Sequence, residues 1–185
     1  MSERARTMAP MTAAAFLDWD DGTGARYELI DGQPVAMAPG ARPHARLIAR
    51  LTIQLGTKLR PPCDIFSAAG VLIPDAADQV LVPDLVVSRA AQPDDLRWVG
   101  DPTLVAEVLS PSTQRYDRDQ KLSLYRRIPS LRHILLLSPQ RRHAIHWQRR
   151  SDGWLVVDLV GEATLRLDDL AVAIPLAELY AGIAD

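Results

Sequence analysis

A chain of 185 residues, 48% apolar and 24% charged, has the size and balance of one globular domain spanning 1–185, able to bury roughly 70% of its unfolded surface. That balance excludes a disordered polymer. Twenty-one basic against 23 acidic residues give a formal charge of −2, which excludes affinity resting on blanket neutralisation of phosphates. A lone cysteine, Cys63, excludes an internal disulfide framework and a multi-cysteine zinc site. No apolar run approaches the ~20 residues of a membrane span, and the first residues lack a long apolar stretch. The reading is therefore a cytoplasmic chain with no membrane partner.

In chain order, Thr12 is placed to cap a short helix over 13–19. RYELIDGQPVAM (26–37) alternates apolar positions around Asp31-Gly32, a two-residue turn signal, and predicts a hairpin. Leu47, Leu51, Leu55 and Leu59 recur every four residues and predict a helix over 44–59, stopped by Pro61-Pro62. Three strand-like runs follow at 65–73, 80–87 and 103–109, with a surface loop at 88–102. A second helix is predicted over 116–128, with Asp117 and Gln120 in the form of a capping box. Strands at 134–137, 144–148 and 154–160 come next, the last two joined by Ser151-Asp152-Gly153. A short helix at 175–180 follows. This mixed order predicts an α/β (α+β) fold: a central sheet with helices packed on it.

Charge is unevenly spread. Residues 115–150 hold ten basic side chains and two acids, so this segment is +8 and the remainder −10. Such asymmetry marks either an anionic partner or a solvated surface. Aromatic residues at 5% exclude a stacking platform for single strands.

Two acids stand out. Thr103–Leu109 is apolar except for Glu107, the pattern of a strand buried on both faces. A carboxylate there is costly unless paired, protonated or metal-bound. It reads either as a structural pair with an arginine or as a metal ligand or acid–base group. Asp84 opens another apolar strand after Pro83, which lacks an N–H. If the two strands are neighbours, ~4.8 Å apart, Asp84 and Glu107 can share a divalent cation, with Mg²⁺ or Mn²⁺ the natural candidate for hard oxygen ligands. Lys121 is one of only two lysines beside 19 arginines. It shares a helical stripe with Leu124, Tyr125 and Ile128, so it either snorkels outward or points at the sheet, where an ammonium beside two acids suits phosphodiester hydrolysis. His143 and His146, three apart on a strand, face opposite sides and cannot share a metal. There is no nucleophile elbow, P-loop or dinucleotide fingerprint.

RYELIDGQPVAM, the His44-led helix, VPDLVV (82–87), EVLSPST (107–113) and YDRDQKLSLYRRIPSL (116–131) together resemble the Uma-type family of putative restriction endonucleases, a branch of the PD-(D/E)XK nuclease superfamily. The resemblance implies a restriction-endonuclease-like mixed sheet and Mg²⁺-dependent cleavage of DNA. It implies that Asp84 and Glu107 are the motif acids and metal ligands, with Lys121 as the catalytic lysine. Two positions depart from the pattern. Leu109 stands where the superfamily lysine usually sits, and Ala69 stands where relatives carry an acid. Glu28 and His44 are further family-like catalytic positions, Glu28 readable as a third metal-side carboxylate and His44 equally readable as a helix cap. Arg115, Arg118 and neighbours would grip the DNA backbone, and a homodimer would suit cutting of two strands. Two alternatives remain open: a catalytically inactive nuclease-fold module that binds DNA or protein, and a small metal-dependent phosphoesterase on another fold.

Overall fold

The computed structural model describes residues 9–93, 95–109 and 120–183. Among these lie, in chain order, α1 (Ala13–Asp18), β1 (Tyr27–Ile30), β2 (Gln33–Ala36), α2 (Arg42–Lys58), β3 (Asp64–Ser67), β4 (Val71–Leu72), β5 (Val80–Leu81), β6 (Leu85–Ser88), β7 (Pro102–Val108), α3 (Leu122–Tyr125), β8 (His133–Leu137), β9 (His143–Arg150), β10 (Gly153–Val160), β11 (Thr164–Leu167), β12 (Val172–Pro175) and α4 (Leu176–Leu179). The main sheet runs β10-β9-β8-β7-β6-β3, a second runs β2-β1-β5-β4, and β11-β12 form a ribbon. Within the main sheet only β7 and β8 are parallel. A crossover through α3 joins them, as parallel pairing requires.

Central position explains the apolar runs. Every residue of β7 and β8 is buried. Alternation sends Leu104, Ala106, Val108, Leu135 and Leu137 to one face, where Leu47, Leu51 and Leu55 of α2 meet them with Leu176, Leu179 and Tyr180 of the C-terminal segment. Val105, Ile134 and Leu136 go to the other face and pack with Leu122, Tyr125 and Ile128. Each such leucine contributes roughly 1.5–3 kcal/mol by leaving water. Thr12 accepts from the Ala15 N–H at 3.2 Å and caps α1. Asp31 and Gly32 both take positive φ, 49° and 74°, the mirror-image turn that an Asp-Gly hairpin uses.

Several boundaries differ from expectation. The runs 65–73 and 80–87 each divide between the two sheets, as β3 with β4 and as β5 with β6. Pro83 has no N–H for a ladder, and Ala68 turns the first run with a φ of 50°. The helix expected from 44 begins at Arg42, with Pro43 in its first turn, where a proline costs no hydrogen bond. The helix expected over 116–128 is described only from its later part. Beyond α3, Arg127 and Ile128 close tighter turns onto Leu124 and Tyr125, because Pro129 disfavours helical backbone at the residue before it. Asp117 and its capping box lie outside the described residues. The β11-β12 ribbon has no counterpart among the expected elements.

On the α2 side of the sheet lies a buried polar group. His133 Nδ1 is 3.0 Å from His146 Nε2, and His133 Nε2 is 2.5 Å from Asp169 Oδ1. Thus His146 pairs with His133 while His143, on the opposite face as expected, pairs with Asp158. Burial, and then the neighbouring His133, lower His146 to about 4. Burial also lowers His133, against the pull of Asp169. The folded state therefore holds both rings neutral while the unfolded chain protonates near 6.5. Stability from this group is complete above about pH 6.5 and drains away as pH falls towards 4. Urea midpoints measured from pH 7 to 4.5 are expected to decline, and His146→Gln, which cannot titrate, to flatten that decline. An identical slope in both proteins would remove the histidine pair as its cause.

Candidate active site

The chain crosses from the second sheet to the main one at Val82-Pro83-Asp84. β6 pairs with β7 in the register Leu85 to Ala106, so Asp84, one residue out, stands level with Glu107. The Asp84 carboxylate is tied at both oxygens. Oδ2 accepts from the Val108 N–H at 2.8 Å, and Oδ1 lies 3.0 Å from His44 Nε2. The N-cap of α2 is Ala41, with no side-chain cap. His44 therefore reaches from the first turn of α2 to Asp84 and does not cap its own helix. Its ring lies against Gly40, where an added Cβ would meet the ring at 2.7 Å.

The second half of the cluster is more deeply buried. Lys121 Nζ is 2.8 Å from Glu28 Oε1 and 3.1 Å from Glu107 Oε1, and all three side chains are under a tenth exposed. Lys121 does not snorkel. Glu28 Oε1 also accepts from the Val82 N–H at 2.8 Å, which pins β1 to the crossing point. Glu107 Oε1 accepts from the Tyr125 hydroxyl at 2.6 Å. Lys121 and Tyr125, four apart along one helical stripe, thus converge on one carboxylate. Ion pairing offsets the several kcal/mol that burying each of these charges costs.

The five residues singled out by sequence, Glu28, His44, Asp84, Glu107 and Lys121, therefore lie in two bonded groups, His44 with Asp84 and Glu28 with Lys121 and Glu107, set side by side where β6 pairs with β7. Arg115 and Arg118 lie outside the described residues. Leu109 is buried in the apolar cluster around α3, and Ala69 packs against the same cluster. The ammonium thus reaches Glu107 from the crossover helix rather than from the strand. One contributor carries no signal in the sequence: the Val108 N–H is a backbone group visible only through register. Tyr125 closes the D-x-x-x-K-x-x-x-Y spacing with Lys121 that belongs to the family resemblance, but that spacing alone assigns its hydroxyl no partner.

Donor type decides whether a metal suits this network. Three carboxylates against one ammonium leave two formal negative charges, the histidine not counted. Hard oxygen donors with an excess of two charges match a divalent hard cation and not a thiolate-seeking one. Among the described residues no three His, Cys, Asp or Glu side chains form a ready-made metal cage. Mg²⁺ needs none, since it is held by one or two carboxylates and keeps its waters. Asp84 and Glu107 fit that demand. If Tyr125 steadies Glu107 for this task, Tyr125→Phe is expected to weaken Mn²⁺ binding about 10–100-fold while keeping the packed ring. Calorimetric titration that finds the parental affinity would remove the role.

A mixed sheet flanked by helices is the arrangement of the restriction-endonuclease-like fold; in this chain two acids stand near the ends of adjacent central strands and the lysine comes from the crossover helix. The sequence matches the Uma2 family of putative restriction endonucleases over residues 13–177, and the chain belongs to that family. A putative nuclease belonging to DUF820 from Anabaena variabilis ATCC 29413 shares the fold, with a TM-score of 0.75 over 93% of this chain and 98% of that one at 16% identity. Two Synechocystis proteins, the uncharacterized proteins slr1290 and sll1609, are similar in sequence. The first is 29% identical over 91% of this chain and 90% of its own length, the second 30% identical over 82% and 89%. No helix among the described residues is long and apolar enough to cross a membrane.

Proposed function

We propose that this chain is a divalent-cation-dependent DNA endonuclease that hydrolyses phosphodiester bonds. The observation that carries the reading is the Lys121 ammonium held between Glu28 and Glu107 while Asp84 stands level with Glu107 on the next strand. Asp84 and Glu107 would hold Mg²⁺ or Mn²⁺, which on binding supplies an activated water and polarises the scissile phosphate. The residues of the chain prepare that site. The Val108 N–H and His44 fix the Asp84 carboxylate, and Tyr125 and Lys121 fix Glu107.

Lys121 brings a positive charge to the place where negative charge builds on the phosphate oxygens. In a site shielded from water such a charge is worth more than at a surface. Glu28 holds the ammonium from the opposite side, so it positions Lys121 rather than touching substrate. In the overall step an oxygen of water bonds to phosphorus, the bond from phosphorus to one sugar oxygen breaks, and that oxygen takes up a proton.

A non-catalytic module of the same fold is the competing reading. It is favoured by Glu107 Oε1 already accepting from two donors. Incubation of plasmid DNA with purified protein across a range of Mg²⁺ and Mn²⁺, beside calorimetric metal titration, separates the two. Nicked or linear product that EDTA suppresses supports the nuclease. Intact plasmid together with no metal binding overturns it.

A further inference from the structure

We propose that the guanidinium groups of Arg126, Arg132 and Arg149, backed by Trp147 and Trp154, form a second binding surface for the phosphate backbone of duplex DNA, apart from the carboxylate–lysine cluster. The choice of DNA rests on the nuclease reading above; the anion site rests on where these side chains stand.

Arg149 is built in. Its Nε donates to the Leu131 carbonyl at 2.7 Å, and one terminal nitrogen donates to the Arg126 and Ile128 carbonyls at 3.0 and 2.8 Å. Its guanidinium lies 4.4 Å from the centre of the Trp154 ring. Arg126 stands 5.6 Å over Trp147, on the adjoining strand. Arg132 and Arg126 are exposed; the Arg132 carbonyl accepts from the Arg149 backbone N–H at 2.8 Å and the Arg126 carbonyl from the Arg149 guanidinium, and after burial these two neighbours hold Arg149 below the ordinary arginine range. Among the described residues none of the three has an acidic partner, although Arg97 and Arg142 elsewhere do. Like charges gathered without a counter-ion repel one another, and a bound anion removes that repulsion. Planar guanidiniums on aromatic rings are suited to phosphate oxygens. Arg126 follows Lys121 by five residues of helical backbone, about 7.5 Å. One turn of duplex, about 34 Å, therefore spans both places.

The test uses the full chain in EDTA, so that binding is read without cleavage. Fluorescence anisotropy of a labelled duplex of about 20 base pairs, two helical turns, is followed against sodium chloride. The slope of log Kd against log salt is expected to shrink by about 1.8 in the Arg126→Ala/Arg132→Ala double variant, about 0.9 for each phosphate that is no longer neutralised. Arg126→Lys/Arg132→Lys, which keeps both charges, is expected to restore the slope. Arg166→Ala, an exposed arginine on β11, is expected to leave it unchanged. Melting curves accompany each variant.

An unchanged slope in the double alanine variant, an equal loss in Arg166→Ala, or no binding by the parent would overturn the proposal. So would displacement of the duplex by inorganic phosphate far below the sodium chloride concentration of the same effect, which would make the cluster a site for free phosphate. Failure of the nuclease reading looks different: a chain that binds duplex through these arginines yet leaves plasmid intact keeps the interface and loses the enzyme.

Discussion

Glu107→Gln is expected to lower Mg²⁺-dependent cleavage of plasmid by about 10³-fold or more while the protein still folds. The substitution keeps the shape of the side chain and its place among Lys121, Tyr125 and the strands. What it removes is one of the two charges proposed to hold the cation. A cation contributes several kcal/mol of charge stabilisation, and about 4 kcal/mol is a factor of about 10³ at 1.36 kcal/mol per decade. Asp84→Asn is expected to act alike, since Asp84 faces Glu107 from the neighbouring strand. The measurement is initial rate of nicking at saturating Mg²⁺, with calorimetric Mn²⁺ titration beside it. Parental rates in both variants would detach catalysis from this pair of acids. Loss of metal binding without any cleavage in the parent would instead point to a cation site in a protein that does not cut.

Much of this geometry was legible because it is governed by local periodicity and by the cost of buried charge. Glu107 interrupts a run of apolar residues that only a central strand accommodates, and β7 is that strand, buried throughout. Leucines every four residues from Leu47 named the face of α2 that meets the sheet. Lys121 could be turned inward from its stripe, but its partner on the far side could not be deduced. Glu28 sits on a different sheet from Glu107, and only the crossing at Pro83 brings them to one ammonium. The same crossing misled the strand boundaries. An apolar run carries no mark of which sheet each half joins, and the proline that divides 80–87 reads equally as the opening of a strand. The His133–His146–Asp169 group was illegible for a related reason: its members come from β8, β9 and the turn after β11, and no spacing within the sequence brings the two buried histidines and that acid together.

The lysine also governs the folded state, so Lys121→Met is expected to destabilise the protein by about 3–5 kcal/mol, the usual consequence of removing one partner from a buried ion pair. Glu28 and Glu107 would remain on either side of the vacated position, Glu28 accepting from the Val82 N–H and Glu107 from the Tyr125 hydroxyl. Neither of these two donors carries the charge that the ammonium supplied. The variant has an escape: one carboxyl takes up a proton, its pKa raised by burial and by its like-charged neighbour. A raised carboxyl pKa in the folded state makes the folded form bind more protons, so the deficit is expected to be smaller at pH 5 than at pH 8. Neutralising one acid in advance should do the same at every pH. Glu28→Gln/Lys121→Met is therefore expected to recover much of the loss and to show little of the pH dependence, as read by urea unfolding at the two pH values. If the single and double variants are equally unstable, repulsion between the two carboxylates is not the cause of the loss, and the electrostatic account of why an ammonium sits between them fails.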